Sequence, residues 1–180
     1  APHLLRVFSE GVARSAAPDE IKRYAAEGAE SDSPSRQLAR YVAYVATREG
    51  LAAPAPMLVF RADRFLRGGD HTAFNEAGYA AVRFSTPAED YSRQHVGITQ
   101  RDGKPYGDLA AFCDGAYIAG VARLNAAVLM HLASAPRPPA RARIVTAELE
   151  TGTTLRWDAD PEGQAAGYEV VWRSTTSPDW

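Results

Sequence analysis

Cysteine is almost absent from this chain. A single Cys113 can close no intrachain disulfide, and no cysteine-rich metal site can be built around it. An excess of either charge is also missing: 20 Lys and Arg stand against 22 Asp and Glu, for a formal net charge of −2. That balance gives no electrostatic reason to expect nucleic acid or an anionic membrane as the main partner. No apolar run reaches the ~20 residues of a membrane span. Several catalytic signatures are missing as well. There is no Gly-x-Ser-x-Gly, and Cys113 lies in a helix-like stretch with no base beside it in sequence. Gly68-Gly69 lacks the spacing and the lysine of a phosphate-binding loop, and no His-Glu-x-x-His helix occurs. The chain opens Ala-Pro-His, without a methionine or signal peptide, and stops at Trp180 just after a strand-like run. Both ends read as cut, and the expectation is a piece of a longer protein.

What is present concentrates in Arg61-Ala-Asp-Arg-Phe-Leu-Arg-Gly-Gly-Asp-His-Thr-Ala-Phe74. A glycine pair precedes Asp70-His71, with arginines upstream. Two glycines allow a turn that most side chains forbid, and such a turn would present acid and imidazole side by side near cations. An Asp-His dipeptide on a loop is also a common structural feature, and the dipeptide alone leaves both readings open.

The rest of the chain alternates strands and helices. Residues 3 to 8 read as a buried strand. Residues 18 to 28 read as a short helix, with Pro18 and acids at the start and Gly28 after the end. Ser33 can cap a helix that begins at Pro34, carries Leu38, Tyr41, Val42 and Val45 on one stripe, and ends at Gly50. Residues 57 to 60 and 80 to 85 read as strands, with a short helical segment from about Ala73 to Ala77 between them. A long helix is expected from Asp108 to about Ser134, with Phe112, Ile118, Val121, Ala122, Leu124, Val128, Leu129 and Leu132 facing a core. His131, near its C-terminal end, suits the helix dipole and is given no catalytic role. This order is α/β, with functional loops beyond strand ends.

Pro136-Arg-Pro-Pro139 marks a boundary, after which the pattern turns to period two. Residues 144 to 149, 153 to 157 and 167 to 173 are expected as strands. Thr154-Leu-Arg-Trp157, Asp160-Pro161 and Gly167-Tyr-Glu-Val-Val-Trp-Arg173 resemble the opening strands of a fibronectin type III domain. In that resemblance Trp157 packs against Tyr168 inside a β-sandwich. The expected organisation is therefore a first domain over residues 1–135, a Pro-rich linker at 136–140 and an incomplete fibronectin III-like β module at 141–180. Three strands leave an unpaired edge, so the module either continues elsewhere or packs on the first domain.

Of the imidazoles, His71 and His95 follow strands and are expected to converge on one rim of the sheet. A zinc site takes three or four ligands, and ligand counting finds no complete set here. Arg67-Gly-Gly-Asp-His-Thr-Ala-Phe74, Gly78-Tyr-Ala-Ala-Val-Arg-Phe84, the loop ending Gln94-His95 and the helix from Asp114 to Leu132 together resemble the C-terminal part of a zinc exopeptidase of the di-zinc aminopeptidase and carboxypeptidase kind. The resemblance covers about residues 1 to 134. It implies a three-layer α/β fold, a mixed sheet flanked by helices.

The same resemblance implies two zinc ions held by a His, a bridging Asp, a Glu, another Asp and a final His, with a further Glu as general base on the metal-bridging water. By order, His95 matches the final His. Asp70 and His71 match a pair lining the site behind the metals, and Arg67 matches a substrate-contacting arginine. Gln94 stands where many relatives have Tyr, and the Asp often found after the final His is missing from Ile98-Thr99-Gln100. The other ligands and the general base are expected upstream. The resulting expectation is a zinc-dependent exopeptidase that releases N-terminal residues from peptides. This fragment would be inactive alone, and by resemblance the protein is secreted or periplasmic. The alternatives are a non-catalytic α/β scaffold with a β-sandwich interaction module, and a serine or cysteine hydrolase. Peptide is the expected partner; nothing in the sequence sets the oligomeric state.

Overall fold

Alternation along His-Leu-Leu-Arg-Val-Phe builds the centre of the molecule. In a computed structural model of the 180-residue chain, strand β1 (Leu4–Phe8) buries Leu5 and Val7, at 1% and 0% exposure, on one face of a sheet. The structure describes every residue except 1, 2, 14, 28, 52, 53, 64–67 and 148–150, and for Ala29 the backbone alone.

β1 is flanked by β2 (Ala55–Val59), which runs parallel, and by β3 (Arg83–Ser85), which runs antiparallel, in the order β2-β1-β3. Pro56 explains why β2 is an edge. The Ala55 amide donates to the His3 carbonyl at 2.7 Å, and the Ser9 amide donates to the Val59 carbonyl at 3.1 Å. Odd-numbered residues of β2 therefore turn towards β1, and Pro56 turns outward, where its missing N–H blunts the free edge.

Helix α1 (Pro18–Glu27) lies on the surface with no buried residue. Helix α2 (Pro34–Arg48) starts as expected: the Ser33 hydroxyl accepts from the Arg36 amide at 3.2 Å, and Pro34 takes the first turn. Val42 and Val45 of α2, with Leu124 and Val128 of α4 (Gly115–Ala133), close over Leu5 and Val7. Each such side chain contributes about 1.5–3 kcal/mol over leaving it in water.

The long helix departs from expectation at its start. Gly107 turns the backbone at φ 114°, Ala110–Phe112 form a 3-10 turn, and Cys113 is extended. Asp114, not Asp108, is the cap, its carboxylate accepting from the Tyr117 amide at 3.0 Å. The expected apolar face also divides. Leu124 and Val128 are buried, whereas Ile118, Leu129 and Leu132 are 54%, 65% and 45% exposed and Phe112 lies outside the helix. At 19 residues, α4 is long and apolar enough by length and composition to cross a membrane, although Arg123 interrupts its apolar sequence.

Three elements complete the first part. Helix α3 (His71–Glu76) precedes β3, and strands β4 (Thr99–Arg101) and β5 (Lys104–Tyr106) form a hairpin. Asp102 and Gly103, both at positive φ, make its turn, so Asp-Gly was the overlooked signal.

In the tail, β6 (Arg143–Ile144) pairs with β7 (Leu155–Arg156), and the expected strand over residues 167–173 does not form. Trp157 and Tyr168 do meet edge to face, with ring centroids 5.6 Å apart. The last residues return to α2. Arg40 donates to the Pro178 carbonyl at 2.6 Å, Arg173 bonds Asp32, and the Trp180 indole donates to Gln37 at 3.2 Å.

Candidate functional site

Two groups of polar side chains lie towards opposite ends of β1. Beyond its C-terminal end, Glu10 reaches His71, the first residue of α3, with Nε2 to Oε1 at 3.6 Å. That is too long for a hydrogen bond and within ion-pair distance when the imidazole is protonated. The side chains are 6% and 8% exposed. The loop before His71 is fastened from β3: Arg83 pairs with Asp63 at 2.9 Å and bonds the Gly68 carbonyl. Gly69 opens a turn without left-handed backbone, its carbonyl accepting from the Thr72 amide at 3.1 Å. Gly69 serves another need. A Cβ there would stand 3.0 Å from the His71 Nδ1, so glycine lets the backbone pass the ring. Asp70 is exposed at the N-terminal boundary of α3 and makes no side-chain cap bond. Arg67 lies outside the described residues.

Because β3 runs antiparallel to β1, the loop after it travels the other way. Ser85 and Glu89 take the Arg6 guanidinium, at 2.6 and 3.0 Å. Beyond them opens a cavity of about 600 Å³, lined by Glu89, Arg93, Gln94, Phe112, Asp114 and Tyr117 among others. Tyr117 donates its hydroxyl to the Leu4 carbonyl, at the start of β1, at 2.8 Å, and burial pushes its phenol pKa up. Asp90 accepts from the Ser92 hydroxyl at 2.6 Å and the Ser92 amide at 3.0 Å. These bonds, with Arg93 at 3.0 Å, hold its carboxyl below the usual carboxylate range. Arg93 stacks its guanidinium over Phe112, 3.6 Å from the ring centroid.

The structure therefore does not bring Asp70-His71 and Gln94-His95 to one rim. Gln94 lines the cavity. His95 is exposed on a turn at φ 57° and is not part of the lining. Among the described residues no group of three or more His, Cys, Asp and Glu could hold a metal ion. The same loop lines the cavity with Glu89, Asp90, Arg93 and Gln94, and Arg93 engages the Asp90 carboxylate at 3.0 Å, so that carboxylate already has a cation beside it. The described residues do not by themselves fit a zinc site.

Sequence reasoning missed Glu10, Asp63 and Arg6. Glu10 follows an apolar strand directly, an expensive place for a carboxylate unless it is paired, and that was its available signal. Asp63 and Arg6 find partners only through the fold and carry no local mark.

Comparison with known proteins gives a consistent set of names. The chain is 40% identical over 179 residues to a probable zinc metalloprotease of Leptosphaeria maculans. It is 39% identical over 183 residues to one of Pyrenophora tritici-repentis and 41% identical over 185 residues to one of Pyricularia oryzae. Each match takes in 99% of this chain but only 41%, 37% and 37% of the respective relative, so the chain spans about two fifths of their length. No protein-family model and no solved structure matches it.

Proposed function

We propose that this chain is part of a zinc-dependent peptidase of the aminopeptidase type, acting on the N-terminal residues of peptides with two zinc ions. The observation that carries the reading is similarity over essentially the whole chain, at about 40% identity, to proteins named probable zinc metalloproteases. In this reading His95 is the ligand this chain contributes, with Gln94 beside it at the cavity. Asp70 and His71 are the pair lining the site near the metals, and Arg67 contacts substrate. The remaining ligands and the general base lie outside these 180 residues, and no step of the reaction falls to a residue described here.

One observation favours a second reading, a non-catalytic α/β scaffold. The loop before His95 brings Arg93 into the cavity lining paired with Asp90, and no group of three or more His, Cys, Asp and Glu among the described residues could hold a metal ion. A chimera separates the two. The segment of the Leptosphaeria maculans relative that matches this chain is replaced by this chain, and release of N-terminal residues from short peptides is followed with and without chelator. Chelator-sensitive release that falls on His95→Ala supports the peptidase. A folded chimera without activity, beside an active parent, supports the scaffold.

A further inference from the structure

Helix α4 is apolar on both sides. Its inner face carries Leu124 and Val128 into the core. On the helical wheel, Ile118, Ala119, Ala122, Ala126, Leu129 and Met130 form a second stripe on the opposite side, and all of them are exposed; Leu129 and Met130 reach 65% and 69%. Apart from His131, the one ionisable group of basic or acidic type in this 19-residue helix is Arg123, at the border of that stripe. A helix apolar all round belongs in an interior, not on a surface.

Three occupants could cover the outer stripe. A bilayer fits poorly: α4 is already packed along α2 by its inner face, and Arg123 lies near mid-helix, where a charge in hydrocarbon is costly. A second copy of this chain would cover the stripe, but nothing in the chain's length calls for it. The relatives supply a better candidate. They match this chain almost end to end, yet this chain spans only 41% of the Leptosphaeria maculans protein, so more than half of such a polypeptide remains to be packed somewhere. Pro56 blunts the β2 edge, and the exposed outer face of α4 is a large apolar surface open to another layer. Its alanines permit close backbone approach, and Leu129 and Met130 supply bulk at one end.

We infer that the outer face of α4 is a docking surface for the polypeptide corresponding to the part of these longer relatives that lies outside their match to this chain. The inference needs the length and similarity of the relatives, not their chemistry, so it stands or falls separately from the peptidase reading.

The test co-expresses the 180-residue chain with the unmatched part of the Leptosphaeria maculans relative, and reads mass by light scattering and affinity by titration. A one-to-one complex is expected, weakened about tenfold or more by Leu129→Asp with Met130→Lys. Tyr44→Ser, on the exposed side of α2, should leave it unchanged, and circular dichroism should show each variant folded. Ala126→Arg provides the same reading should the double variant fail to fold. The inference is overturned by a complex indifferent to these α4 changes, or by no complex with the chain monomeric. A homodimer abolished by the same substitutions overturns it in favour of self-association. Binding to phosphatidylcholine–phosphatidylglycerol vesicles abolished by them overturns it in favour of a membrane.

Discussion

Glu10 and His71 stand 3.6 Å apart with less than a tenth of either side chain exposed, and they tie the end of β1 to the first residue of α3. Among the described residues, Glu10 Oε1 has no hydrogen-bond partner, so its compensation comes from the facing imidazole. The Glu10 backbone is pinned as well: its amide donates to Ser35 Oγ at 3.1 Å and its carbonyl accepts from Ser33 Oγ at 2.5 Å. The pair is thus a joint between β1, the start of α2 and the loop that the sequence marks out.

Removing one partner should be costly. His71→Ala leaves a buried carboxylate uncompensated, and we expect a loss of about 3–5 kcal/mol. Glu10→Gln removes the charge and should cost less. In a double-mutant cycle read by urea denaturation, the Glu10→Gln, His71→Ala pair should destabilise by clearly less than the sum. Strict additivity would show that the two side chains do not interact.

Gly69→Ala tests the close passage beside the imidazole. A Cβ at 3.0 Å from His71 Nδ1 displaces the ring or the backbone, and the expected loss is about 1–3 kcal/mol. Gly68→Ala should be close to neutral, because nothing lies within 4 Å of its Cβ position. Equal effects at the two positions would contradict the assignment.

Arg93 makes a prediction about metal affinity. Arg93→His removes a fixed cation from the cavity and adds a neutral nitrogen near Asp90, so zinc affinity should rise by about tenfold or more. Titration of the variant against the parent chain measures it. Unchanged affinity would mean that the Arg93 charge does not oppose the chain's weak binding of zinc.

Asp160 gives a pH dependence. Its carboxylate accepts backbone amides of Glu162 at 3.1 Å, Ala165 at 2.9 Å and Gln164 at 2.7 Å, which hold its pKa below the ordinary value. A carboxyl depressed in the folded state stabilises fully above its unfolded value, near about 4. That contribution disappears as pH falls through the lower, folded value. The near-ultraviolet signal of the Trp157–Tyr168 contact should therefore fade on acidification below about pH 4. In Asp160→Asn it should be weaker at neutral pH and lose that acid transition. A signal indifferent to both changes would separate the ring contact from the loop.

Much of the first part was legible because its signals are local. Ser33-Pro34 starts α2, Leu5 and Val7 alternate inward, and α2 ends just before Gly50. The start of α4 was misplaced because Asp108 and Asp114 are both acceptable caps in sequence. Only the left-handed Gly107 and the turn after it select the second. The site was less legible. That His71 and His95 each follow a strand says nothing about strand direction, and the antiparallel setting of β3 sends the second loop to the other end of β1. Glu10, Asp63 and Arg6 acquire partners only from that topology. The tail shows the same limit: the Trp157–Tyr168 contact is what the fibronectin III-like resemblance implies, whereas the strand over residues 167–173 depends on neighbours and does not form.

The most direct test of the account is zinc titration of the 180-residue chain by calorimetry, with bound metal counted after gel filtration. With one proposed ligand and no three-donor cluster among the described residues, the chain should retain no stoichiometric zinc, and the weak binding it shows should fall on His95→Ala. Two tightly held zinc ions per chain would contradict it.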